Sequence, residues 1–150
     1  MQPKLSFKDA VLAAIASGAS SVEEVANALM VKEEMVRSVI EELKRSGLVE
    51  EVEKGFWIFK RRILRLTEAG RIRAGEALER LRKVAEEIRS KVGRELGPEE
   101  VQRIIEPYAP VLPLLFYLGL LDLLLLESLF LLPSLVFWDF GDFGSDVRLE

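Results

Sequence analysis

The sequence contains no cysteine and no histidine among its 150 residues. The lack of cysteine excludes disulfide bonds, thiolate metal sites and cysteine nucleophiles. The lack of histidine removes the commonest general base and the commonest metal ligand, and with them any Ser-His-Asp hydrolytic site. No motif suggests a carboxylate-only active site or a magnesium site. We therefore expect a protein that is not an enzyme and that uses no metal and no cofactor.

Amide side chains and threonine are also scarce. Asn27 is the only asparagine, Thr67 the only threonine, and Gln2 and Gln102 the only glutamines. Few amides beside abundant Glu, Arg and Leu are typical of proteins from thermophiles. The first ten residues have no continuous apolar stretch behind their charges, so no secretory signal is expected and a cytoplasmic location is predicted.

The net charge of −4 is divided unevenly along the chain. Residues 1–93 carry 18 basic and 15 acidic side chains, a balance of +3, whereas residues 94–150 carry 3 and 10, a balance of −7. Only the N-terminal part therefore has a positive bias. That bias is compatible with nucleic-acid binding but is not sufficient to predict it.

Three helices are predicted in the first third of the chain. The first covers Phe7–Ser17. Ser21 followed by Glu24 is a capping box at the start of the second helix, which runs to Met30. After a tight turn, the apolar residues of the third helix recur at helical spacing up to a C-terminal cap at Gly47: Met35, Val36, Val39, Ile40 and Leu43.

The pattern then changes to one typical of a β-hairpin. Val49–Val52 is predicted as a strand, Glu53–Gly55 as a turn, and Phe56–Leu66, which is rich in β-branched and aromatic residues, as the second strand. Because the second strand is longer than the first, the tip lies either at Glu53–Gly55 or nearer Lys60–Arg62. The pattern leaves the register open.

A long helix capped by Thr67 is predicted to end at Gly93. Its apolar residues alternate between spacings of four and three, as in a coiled-coil seam: Ala74, Leu78, Leu81, Ala85, Ile88 and Val92. Such a stripe needs a partner surface. We predict that residues 71–93 form a dimerisation helix, with a homodimer interface made by Leu78, Leu81, Ala85, Ile88 and Val92. The alternative is packing within the chain against the Leu-rich segment of residues 111–137.

Two sets of residues in the N-terminal half match patterns of a known family. The first set is Leu29, Val31, Val36, Ile40, Leu43, Gly47, Leu48 and Val49, and the second is Leu66, Thr67, Gly70 and Arg71. This half resembles winged-helix transcription regulators of the MarR and PadR type, which commonly run L-G-V-S, a recognition helix, L-x-x-x-G-L-V, a wing and L-T-x-x-G-R. The expected fold is mainly α (α+β), with a winged helix-turn-helix over residues 1–70.

The resemblance implies a recognition helix over Lys32–Ser46 that lies in the major groove of double-stranded DNA. Its outward residues by position are Lys32, Glu33, Glu34, Arg37, Ser38 and Glu41. Lys32, Arg37 and Ser38 are the predicted DNA-binding residues of this helix. The three glutamates would bring negative charge towards the phosphates, so we interpret them as solvated surface residues.

The predicted wing carries the densest group of cations in the chain: Lys54, Lys60, Arg61, Arg62 and Arg65. Arginine in a wing can hold phosphates or enter the minor groove, so Lys54, Lys60, Arg61 and Arg62 are predicted DNA-binding residues. The alternative is cross-strand pairing with Glu50, Glu51 and Glu53. Trp57 and Phe59 are expected to pack on a hydrophobic neighbour rather than to stack on bases.

The C-terminal part, residues 94–150, is predicted as a Leu-rich helical segment followed by an acidic tail. Residues 111–137 contain 14 leucines and only two charges, Asp122 and Glu127. A membrane span needs about 20 apolar residues, and the two acids interrupt the run. We favour a buried helix or helical hairpin in an oligomer core, with membrane contact as the alternative.

Together these features predict a homodimeric DNA-binding protein that acts as a transcriptional regulator on duplex DNA. The alternative is a winged-helix module that binds another protein or associates with a membrane and does not bind DNA.

Overall fold

The computed structural model describes residues 5–92 and 97–121. Within these residues, six α-helices and one two-stranded antiparallel sheet follow one another along the chain. The elements are α1 (Phe7–Ala16), α2 (Val22–Leu29), α3 (Glu33–Arg45), β1 (Val49–Lys54), a 3₁₀ turn (Trp57–Phe59), β2 (Arg61–Leu66), α4 (Glu68–Lys91), α5 (Pro98–Ile105), a 3₁₀ helix (Glu106–Val111) and α6 (Leu112–Tyr117).

The first three helices and the hairpin have the order and packing of a winged helix, which confirms the predicted fold class. Helices α2 and α3 pack on each other, and α1 packs on both. The core between them consists of side chains that are almost completely buried, among them Val11, Leu12, Val25, Val36 and Ile40. The apolar spacing of the sequence thus places one face of each helix in a shared core.

The predicted caps set the helix boundaries. At the start of α2 the Ser21 hydroxyl accepts a hydrogen bond from the Glu24 amide at 3.1 Å. The Glu24 carboxylate reaches back to the Ser20 amide at 2.6 Å, one residue earlier than in a regular capping box. Each of the three helices begins and ends within one residue of its predicted limits.

The turn between α2 and α3 passes through Met30 in the left-handed region, with φ of 55°. In the regulators that this region resembles, glycine is common at that position. A side chain there costs about 1–2 kcal/mol in backbone conformation. The Met30 side chain is 56% exposed, so packing of that side chain does little to offset the cost. The helices on either side, rather than Met30 itself, hold the turn.

The hairpin has one register, from Val49 opposite Leu66 to Lys54 opposite Arg61. Neither of the two predicted tip positions is therefore correct. The tip is the six-residue segment 55–60. Residues 56–60, which the sequence pattern assigns to the second strand, therefore do not belong to a strand. The reason is local: Gly55 and Trp57 both have positive φ, which turns the chain out of the extended conformation.

The hairpin is connected to α4 by the residues that match the family pattern L-T-x-x-G-R. The Thr67 hydroxyl caps α4 by accepting from the Gly70 amide at 3.1 Å and donates to the Gly47 carbonyl at 2.6 Å. A Cβ on Gly70 would collide with the backbone carbonyl of Leu48. The threonine and the glycine therefore both serve to bring the start of α4 against the end of α3.

Helix α4 is 24 residues long and begins at the predicted cap. The stripe predicted as a dimer interface is covered by the chain itself, because α4 packs on α1 and α5. Leu81, Ala85 and Ile88 are completely buried, and Leu78 and Val92 are partly buried against the same core. These side chains fill an intramolecular core, although in the described part of the chain α1 and α5, rather than the Leu-rich segment, are the main elements that cover them. Homodimerisation itself stays a prediction.

A buried carboxylate also joins α1 to α4. Asp9 is 6% exposed and accepts hydrogen bonds from Ser6 at 2.9 Å and from Arg73 of α4 at 2.8 Å. Arg80, two turns further along α4, lies 3.7 Å from the same carboxylate. The charge of Asp9 is thereby compensated in a core that is otherwise apolar.

The chain continues from α4 into the same core. Helix α5 starts at Pro98 after Gly97, as predicted, and α6 packs on α2. Leu112, Leu114 and Leu115 of α6 are completely buried. The predicted boundary at residue 94 and the rest of the Leu-rich segment, from Asp122 on, lie outside the described residues. No helix within residues 5–92 and 97–121 is both long and apolar enough to cross a bilayer.

Candidate nucleic-acid interface

Helix α3 turns one face to solvent and buries the other. Val36, Ile40 and Leu43 lie in the core, whereas Arg37 and Ser38 are exposed. The exposed face carries equal numbers of basic and acidic side chains: Lys32, Arg37 and Arg45 against Glu33, Glu34 and Glu41. The helix therefore offers polar groups for a groove but no net positive charge.

The charges at the two ends of α3 complement the helix dipole. Glu33 and Glu34 lie in the first turn, next to the positive end, and Lys44 and Arg45 lie in the last turn, next to the negative end. This arrangement gives the two N-terminal glutamates a structural role, in agreement with their interpretation as surface residues.

Lys44 connects α3 to the wing. Its ammonium group pairs with Glu51 of β1 and, at 3.3 Å, with Glu41. The hydrogen bond to Glu51 raises the pKa of Lys44 above its usual value. Because the pair joins the last turn of α3 to the first strand of the wing, it helps to fix the wing relative to the helix.

The wing cations nearest the core are paired with acids. Arg65 lies opposite Glu50 in the register, and their side chains are 3.2 Å apart. Arg62 lies 3.8 Å from Glu51, although its side chain is 75% exposed. Cross-strand pairing, the alternative considered above, therefore holds for Arg65 and in a looser form for Arg62.

The cations at the far end of the wing are different. Lys54, Lys60 and Arg61 are exposed, and none of them makes an ion pair with any other described residue. Lys54 and Arg61 also occupy the last paired position of the hairpin, directly opposite each other. The wing thus has a charge-balanced base and a cationic end.

An exposed apolar tip stands between these cations. Phe56, Trp57, Ile58 and Phe59 are 83%, 72%, 71% and 75% exposed. The prediction that Trp57 and Phe59 pack on a hydrophobic neighbour is therefore wrong. A signal was present in the sequence, because four consecutive large apolar residues between charges fit neither the alternation of a half-buried strand nor a helical stripe.

The tip is closed by its own backbone. The Phe59 amide donates to the Phe56 carbonyl at 3.0 Å, and the Lys60 amide donates to the Trp57 carbonyl at 3.4 Å. Gly55 is required for this closure, since a Cβ at that position would collide with the Phe59 carbonyl. The four side chains therefore stand on a compact turn in which some of the backbone amide and carbonyl groups are already hydrogen bonded to each other.

A family model agrees with the helix-turn-helix part of this description. Residues 2–56 match a helix-turn-helix family model described as the C-terminal part of Cmi2. Staphylococcus aureus MarR, solved in complex with salicylate and kanamycin, is structurally similar with a TM-score of 0.43 and 14% identity, over 73% of this chain and 72% of that one. No curated protein matches the chain. The winged-helix assignment itself follows from the helices and the hairpin register.

Proposed function

We propose that the protein binds duplex DNA and acts as a winged-helix transcriptional regulator. The observation that carries this proposal is the group Lys54, Lys60 and Arg61, three exposed cations without acidic partners among the described residues, at the end of a wing joined to α3. Clustered cations of this kind gain affinity for phosphates through counterion release.

In the proposed complex, α3 lies in the major groove with Arg37 and Ser38 towards the base edges and Lys32 near a phosphate. Arg37 can donate two parallel hydrogen bonds to guanine, and Ser38 can donate or accept. Because the exposed face of α3 has no net charge, most of the electrostatic attraction has to come from the wing. Arg62, which is loosely paired, is expected to contribute less than Lys54, Lys60 and Arg61.

We also propose that the regulator works as a homodimer. The exposed face of α3 carries no net charge, and two-fold symmetry doubles the contacts on a palindromic site. Leu81, Ala85 and Ile88 are buried within one chain, so the interface has to be formed by other surfaces. Sedimentation equilibrium of the full chain tests this part separately, because a monomer at the concentrations used for DNA binding would contradict it.

The DNA-binding proposal is tested by the salt dependence of affinity. Binding of the full chain to a fluorescent generic duplex is measured by anisotropy at several salt concentrations. We expect the slope of log affinity against log salt to become shallower by about 2–3 in Lys54→Ala/Lys60→Ala/Arg61→Ala, since each lost phosphate contact removes about 0.9. Arg82→Ala/Lys83→Ala, on the exposed face of α4, is the control and should leave the slope nearly unchanged.

Two results would count against this proposal, the first against DNA binding as a whole and the second against the role of the wing cations in it. One is the absence of binding at low salt, which would favour a winged helix that contacts another protein or a membrane. The other is an equal salt slope in the wild type and the triple variant, which would show that the wing cations do not contact phosphates.

A further inference from the structure

The apolar tip Phe56–Phe59 has no role in the proposal above. Four large apolar side chains, each more than two-thirds exposed, follow one another on a single turn. Scattered exposed hydrophobic residues are ordinary, but large ones grouped on one turn point to a surface that binds something. Trp57 also has a positive φ of 56°, a conformation that non-glycine residues rarely adopt and that tends to occur at functional sites.

The surroundings of the tip restrict what can cover it. Lys54 precedes the turn, and Lys60 and Arg61 follow it, so apolar contact and positive charge are presented together. A suitable partner has to offer apolar faces with anionic groups on both sides. Base pairs opened at one step offer this combination, because the exposed base faces are apolar and the phosphates run along each side.

We propose that the tip enters the minor groove of duplex DNA and inserts apolar side chains between two base pairs, while Lys54, Lys60 and Arg61 hold the flanking phosphates. This inference rests on the proposed function. It assigns the tip a role in bending the DNA, distinct from the role of the cations in attracting it. Proteins that place apolar wedges between base steps kink the duplex by 20–90° towards the major groove.

The position of the wing supports duplex DNA over a lipid surface. Glu51 and Lys44 join β1 to the last turn of α3, so the wing is held beside the helix that is proposed to lie in the major groove. A flat anionic membrane entered by the tip would also meet the exposed Glu53, which precedes Lys54 on β1. On DNA, by contrast, individual cations can meet individual phosphates while that acid stays in solvent.

The test uses the full chain carrying Trp138→Phe, which leaves Trp57 as the single tryptophan. The ligand is a duplex of about 20 base pairs with a dye at each end and a central TA step, since such steps unstack easily. On binding we expect higher energy transfer between the dyes, because the ends approach, and quenching of Trp57 emission, because the indole contacts bases.

Phe56→Ser/Phe59→Ser removes two of the apolar side chains and keeps Trp57 and the cations. We expect it to bind about tenfold more weakly, because base stacking is lost, and to bend the duplex less while keeping the salt slope of the parent. Ile72→Ser is the matched control: it removes another exposed apolar residue, 63% exposed on α4, and should change neither affinity nor bending.

The outcomes separate the wedge from the proposed function. If the parent binds the duplex but neither energy transfer nor Trp57 emission changes, or if the double serine variant behaves like the parent, the wedge is wrong and DNA binding stands. If no duplex is bound at any salt concentration, both are wrong. Tighter binding to the separated strands than to the duplex overturns the wedge. So does a blue shift of Trp57 emission with phosphatidylglycerol vesicles but not with duplex, which would assign the tip to a membrane.

Discussion

The two ends of the wing hairpin differ in almost every physical respect. At the base, Leu64 and Leu66 are buried, Arg65 is paired with Glu50, and Thr67 is hydrogen bonded to both neighbouring elements. The tip lies about 20 Å along the strands from the base, by the usual rise per residue. Its apolar side chains are exposed, and its cations have no ion-pair partners among the described residues.

We infer that this difference separates stability from binding within one small element. The groups at the base are satisfied by the rest of the chain, so changing them should alter the folded state. The groups at the tip contact little of the chain, so we expect changes there to affect binding and to leave the folded state intact.

Gly70→Ala should lower the free energy of unfolding by about 2–3 kcal/mol, because the new Cβ collides with the Leu48 carbonyl and the junction has to open. Chemical denaturation followed by circular dichroism measures the change. Gly75→Ala makes the same substitution in the same helix, at a position where the new Cβ would meet nothing within 4 Å beyond the neighbouring helix backbone. It should stabilise by about 0.5–1 kcal/mol, since alanine favours helix over glycine. Equal effects of the two substitutions would contradict the close approach at Gly70.

Thr67→Ala should lower the free energy of unfolding by about 1.5 kcal/mol. The variant loses the cap on the Gly70 amide, worth about 1 kcal/mol, and the hydrogen bond to the Gly47 carbonyl. Thr67→Ser keeps the hydroxyl and should remain within about 0.5 kcal/mol of the parent in the same denaturation experiment. A serine variant as unstable as the alanine variant would show that the threonine methyl group, not the hydroxyl, matters at this position.

The base of the wing was also the more predictable end. Periodicity and caps predicted α1, α2 and α3 to within one residue, and the L-T-x-x-G-R pattern marked the start of α4. Such signals are local: a cap involves residues three apart, and an apolar face repeats every turn. The three N-terminal helices, the presence of the hairpin and the start of α4 could therefore be predicted from the sequence, whereas the tip of the hairpin could not.

Features that depend on residues far apart in the sequence could not be predicted. Asp9 pairs with Arg73, 64 positions away, and nothing around Asp9 in the sequence indicates burial. The α4 stripe was correctly identified as apolar, but periodicity does not say whether the covering surface is α1 or a second copy. The six-residue tip is a local feature that the sequence pattern also fails to predict, because aromatic residues favour strands whereas the positive φ values at Gly55 and Trp57 close a turn there.

Glu50→Gln tests whether the paired charges at the base restrain DNA binding. The substitution removes an acid from the wing and releases Arg65, so we expect affinity for generic duplex at low salt to rise about threefold. Glu86→Gln, an exposed acid on α4, is the matched control and should have a smaller effect. Unchanged or weaker binding in the Glu50 variant would mean that the base of the wing lies away from the phosphates.

The smallest expected effect is on stability at the tip. Phe56→Ser/Phe59→Ser should change the free energy of unfolding by less than about 0.5 kcal/mol, because both side chains are at least 75% exposed and folding buries little of their surface. The same double substitution in the core would cost several kcal/mol. Denaturation of this variant beside the parent, read by circular dichroism, is the measurement. A loss of more than 1 kcal/mol would show that the tip packs on part of the protein after all, and the separation between a stabilising base and a binding tip would fail.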